Sequence, residues 1–122
     1  MSKSTYPCVA WRSRPIFFVS SPIFTASALQ IAQRVRRLGL PAINESSVLV
    51  RNGGLISYGP DLHEMFRRVA YFVDKILKGT KQTELPIERP SHFELFVNVK
   101  TAKALGLNVP PTLLARADEV IE

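Results

Sequence analysis

At 122 residues, 46% hydrophobic and 21% charged, the chain is long enough to bury a core without staples, so disorder is excluded for most of its length. Its formal charge of +6 favours anionic neighbours without naming one, because Arg34, Arg36, Arg37, Arg67 and Arg68 each stand beside apolar helical positions and read as solvated faces. The single Cys8 forms no internal disulfide and is silent on redox compartment.

The N-terminal stretch "MSKSTYPCVAWRSRPIFFVSSPIFTASA" has the basic start, apolar run and small-residue end of a secretory signal. Pro15, Ser20, Ser21 and Pro22 interrupt that run, so it makes no convincing signal peptide, and no stretch approaches the ~20 apolar residues of a membrane span. "PIFFVSS" instead predicts a buried parallel strand. In "TASALQIAQRVRRLG", Ala28, Leu29, Ala32, Val35 and Leu38 recur at helical spacing, Thr25 or Ser27 supplies the cap and Gly39 the stop. "LPAIN" then reads as a second strand, completing a strand-helix-strand unit.

"ESSVLVRNGG" fits a helical turn or an irregular link, and "LISYG" is a third strand. Pro60 cannot donate to a ladder and disfavours helix at Gly59, so this strand stops there. Asp61 with Glu64 three residues on predicts a capping box, opening a helix to Lys78. Leu62, Met65, Phe66, Val69, Val73, Ile76 and Leu77 share one face of it and are expected to be buried.

The connector "TKQTELPIERPSH" carries Pro86 and Pro90, with room for a brief edge strand at Leu85 to Ile87. In "HFELFVNV", Phe93, Leu95, Val97 and Val99 alternate, while Phe96 breaks the alternation and predicts cover on both faces. "KTAKALGL" is a short helix, and the tail "TLLARADEVIE" is expected to be a last one. Aromatic residues Phe17, Phe18, Phe66, Tyr71, Phe72, Phe93 and Phe96 lie within periodic elements and are read as core. The order argues an α/β fold with a short parallel or mixed sheet flanked by helices. It is read as one domain over 15–122 after an unassigned tail over 1–14.

The chemistry is sparse. No nucleophile motif surrounds Cys8, His63 or His92, no His or Cys pair has metal-ligand spacing, and "GGLISYG" lacks the phosphate-cradling glycine patterns. No catalytic, metal or cofactor assignment follows. Strand ends and helix starts form the ligand crevice of open α/β sheets, which nominates Ser20, Ser21, Asn44, Tyr58 and Asp61 for ligand binding. The competing reading, a basic α/β module for nucleic acid or an acidic protein partner, rests on charge alone and is not favoured.

The blocks "SYGPDL", "VDKILKG", "LPIE", "FELFVNVKTAKALGL" and "PPTLLARADEVI" carry a resemblance. In order and spacing they are similar to the C-terminal end of bacterial ABC-transporter substrate-binding proteins, in the family that includes tryptophan and tyrosine binders. "FFVSSPIF" and "IAQRVRRLGLPAIN" extend it upstream, so it covers about Pro15 to Glu122. The resemblance implies part of a type I periplasmic-binding-protein lobe, an extracytoplasmic location, a small solute such as an aromatic amino acid, and an ABC permease partner. It implies that the chain crosses between lobes at Gly59 and Pro60. It further implies a C-terminal remnant or truncated form whose uncovered faces drive homodimer formation. Asn44 departs from the pattern, standing where many relatives carry an aromatic residue after "LPAI".

Overall fold

A computed structural model describes residues 14–19 and 21–122 of the chain. Cys8 and Ser20 lie outside the described residues. A five-stranded sheet in the order β1-β2-β3-β4-β5 organises the fold, from β1 (Ile16–Phe18), β2 (Ala42–Asn44), β3 (Ile56–Pro60), β4 (Phe93–Asn98) and β5 (Glu119–Ile121). β1 to β3 are mutually parallel, and β5 runs parallel to β4. With helices on its flank, this is the expected α/β architecture of a short sheet flanked by helices.

The chain forms two compact units. The first comprises 1–59 with 95–122, the second Pro60–Glu94, so the chain leaves the first unit between Gly59 and Pro60. In the first unit the segment after β1 folds into α1 (Pro22–Ala26) and α2 (Ala28–Arg37). The cap differs from expectation: Ser21 Oγ accepts from the Ile23 amide at 3.3 Å and opens α1, whereas Ser27 makes no side-chain cap at the start of α2. Pro22 at the first helical position explains the early start, since its missing N–H is one the helix does not need.

The ambiguous "SSVLVR" is helix α3 (Ser47–Arg51), started by Ser46. Ala28, Ala32 and Leu49 form a buried cluster with Phe18, Ile31 and Val48 packed against it. Val50 and Val97 are fully enclosed, each burial contributing about 1.5–3 kcal/mol.

Along β1 to β3, one face of the sheet packs against these helices and the other is exposed. Phe17 pairs with Ile43 and Ile43 with Ile56, placing them in one row whose continuation along β3 is Tyr58. Phe17 is 64% exposed and Tyr58 59%. The expectation of a buried β1 is therefore corrected, because no element among the described residues lies over that row. Phe96 and Val97, neighbours pointing to opposite faces, are both buried, so β4 is covered on both sides as its broken alternation predicted.

The tail also departs from expectation. α5 (Val99–Ala104) forms, but the last helix, α6 (Pro111–Leu114), is a single turn, and residues 119–121 become β5 instead. Asp118 decides this: its Oδ2 accepts from the Leu95 amide at 2.8 Å and its own amide donates to the Leu95 carbonyl at 2.9 Å, which docks the tail on β4.

The second unit is built on α4 (Leu62–Leu77). Asp61 Oδ1 accepts from the amides of His63 and Glu64 at 2.8 and 3.2 Å, making the predicted cap, while Glu64 turns to Arg67. Gly79, at φ 97°, ends the helix in a conformation that only glycine adopts at low cost. The expected edge strand at Leu85 to Ile87 is absent, replaced by one 3-10 turn at Gln82–Glu84.

The burial expected of α4 is overturned. None of its residues is buried, and Leu62, Met65, Phe66, Val69 and Val73 are all exposed, Phe66 to 71%. The spacing encodes an apolar face correctly, but none of the described residues covers it. Phe66, Tyr71 and Phe93 are likewise exposed rather than core.

Candidate functional site

The parallel register aligns the strand ends of the first unit. Phe18 pairs with Asn44 and Asn44 with Ser57, so the residues after them, Val19, Glu45 and Tyr58, emerge along one edge. Between this edge and α1 lies a narrow recess of about 20 Å³ lined by Phe18, Phe24, Thr25, Asn44 and Ser46, among others. It is room for one water-sized group.

Asn44 is its polar feature. The side chain is buried; Nδ2 donates to the Ser46 carbonyl at 2.6 Å, and Oδ1 is buried without a hydrogen-bond partner. A buried amide oxygen left unpaired costs about 1–3 kcal/mol, so its retention at a strand end needs an explanation beyond packing. Ser21 stands at the rim, where its carbonyl accepts from both the amide and the hydroxyl of Thr25. Tyr58 is exposed on the opposite, open face of the sheet.

Gly59 shapes the same edge. A β-carbon there would meet the Glu45 carbonyl oxygen at 2.0 Å, so the glycine lets β3 pass against the loop after β2. The sequence marks Gly59 as the stop of a strand and, by resemblance, as a crossing between lobes, and neither reading requires this close approach. The bare "GP" pair signals a turn equally well, and the close approach is a tertiary fact.

Asp61 belongs to the second unit and is occupied as the α4 cap. Beside it a groove of about 170 Å³ runs between α4 and residues 88–92, lined by Met65, Arg68, Val69, Phe72, Glu88 and His92, among others. Arg68 grips Glu88 through two nitrogens, Nε to Oε2 at 2.8 Å and NH2 to Oε1. Donation to the Glu88 carboxylate holds the guanidinium pKa above its ordinary value, and the Tyr71 ring centroid lies 4.5 Å from the same cation. Sequence reading missed this groove because its walls come from separate segments.

The family of ABC transporter substrate binding proteins matches residues 13–121. The chain belongs to that family. No curated protein matches it significantly. Among solved structures, a conserved domain protein from Vibrio cholerae O1 biovar El Tor N16961 superposes with a TM-score of 0.81 at 22% identity, over 92% of this chain and 38% of its own. The ABC domain of a Streptococcus pneumoniae protein, in complex with L-Trp, gives 0.79 at 23% identity, over 88% and 36%. A ligand-free, open substrate-binding protein with adhesive properties from Clostridium difficile gives 0.58 at 20%, over 86% and 35%. The chain thus spans well under half the length of each. Among its described residues, no helix is long and apolar enough to cross a membrane.

Proposed function

We propose that this chain is a solute-binding part of an ABC transport system, extracytoplasmic, non-catalytic, and partnered by an ABC permease. Its solute is a small molecule such as an aromatic amino acid. The observation that carries this reading is the buried, unpartnered Oδ1 of Asn44 at a strand end, in a chain of the substrate-binding family. An ammonium or amide N–H of a solute is the donor that such an oxygen lacks. Ser21, at the rim of the same recess, adds a hydroxyl. The likeness to the L-Trp complex supports the aromatic class.

A single copy offers limited enclosure, so affinity is weak, about millimolar. Titrating isotope-labelled protein with L-tryptophan and L-tyrosine and following amide shifts tests this. The expected result is saturable movement at Ser21, Asn44 and Ser46, abolished by Asn44→Leu. Shifts that never saturate, or that survive Asn44→Leu unchanged, would overturn it.

The same reading includes a homodimer. The apolar row of α4, exposed from Leu62 to Val73, is the face a second copy would cover.

A further inference from the structure

The fold brings together three donors that lie apart in the sequence, and we infer that Asp61, His92 and Glu94 form a divalent-cation site matched to zinc. One ligand atom from each lies within 4.8 Å of the others, with Asp61 and Glu94 half-buried and His92 exposed. The backbone sets this geometry. The Asp61 amide donates to the His92 carbonyl at 3.1 Å, holding the residue after β3 opposite the residue before β4. His92 and Glu94 are two apart on an extended segment, so their side chains leave on the same side.

Asp61 is already oriented, because its Oδ1 accepts two α4 amides, which leaves Oδ2 for a metal. Zinc bound to nitrogen and oxygen at ~2.0–2.2 Å separates its ligands by roughly 3.4 Å, so modest side-chain rotation closes the set. No counter-cation competes among the described residues: the nearby Arg67 and Arg68 pair with Glu64 and Glu88, and neither Asp61 nor Glu94 takes part in a lysine or arginine ion pair.

An imidazole with two carboxylates suits zinc better than calcium or magnesium, which favour all-oxygen shells. Three protein ligands leave a fourth position for water. Bound there, the ion ties the entry of the second unit to its exit, since these residues flank Pro60 and close at Glu94.

The test uses the full chain, stripped with EDTA and titrated with zinc chloride by calorimetry, with cobalt absorption as a second readout. The expected result is one zinc per chain at about micromolar affinity, and a raised melting temperature. His92→Ala and Glu94→Gln should each weaken binding about tenfold or more and cancel the melting shift, while melting as wild type does in EDTA. Cys8→Ser and His63→Ala should bind as wild type. Absence of binding, full binding by His92→Ala, or loss of binding in Cys8→Ser would each overturn the site.

Discussion

A β-carbon on Gly59 would lie 2.0 Å from the carbonyl oxygen of Glu45 and 2.8 Å from its carbonyl carbon. The obstacle is backbone, which cannot swing away as a side chain would. Gly59→Ala is therefore expected to force β3 from the loop after β2 and destabilise the chain by about 1–3 kcal/mol in urea unfolding. An alanine variant with an unchanged midpoint would show that the approach is not rigid.

Asn98 joins three segments. Its Nδ2 donates to the Val50 carbonyl at 3.2 Å, its Oδ1 accepts from the Thr101 amide at 2.8 Å, and its own amide donates to the Leu55 carbonyl at 2.9 Å. Thr101 Oγ1 in turn donates to the Gly53 carbonyl at 3.0 Å. Asn98→Ala leaves the Thr101 amide unpaired and takes one of two donors from the Val50 carbonyl, which keeps the Gly53 amide, and should cost about 1–3 kcal/mol, while Thr101→Val should cost about 1. Because both act on the loop between α3 and β3, the double variant should lose less than the sum, which a double-mutant cycle measures.

Val69 is 54% exposed on α4, so Val69→Asp should change the stability of the monomer by no more than about 0.5 kcal/mol. The same variant should lower self-association in light scattering and reduce binding of a hydrophobic dye. A loss of several kcal/mol in dilute solution would mean the face is covered within one chain.

What could be read from residues alone was local. Asp61, with amides free at the start of a helix, makes the cap its position predicts, and Gly79 makes the stop, because both act within one turn. The strand-helix-strand unit was legible for the same reason, though Pro22 moved the helix start upstream of Ser27. "ADEVIE" carries helical spacing, yet becomes β5 because Asp118 meets Leu95, some twenty residues away in sequence. The candidate site divides likewise. Asn44 was found from its place at a strand end, but its unpaired oxygen is visible only once Ser46 takes the other half of the amide.

The sequence by itself determined the caps, stops and apolar faces, since these depend on neighbours within about four residues. Only the tertiary structure decided which faces are covered, that Gly59 must lack a side chain, and that Asp61, His92 and Glu94 converge. Those outcomes depend on backbone brought together across the sheet, and spacing along the chain carries no record of it.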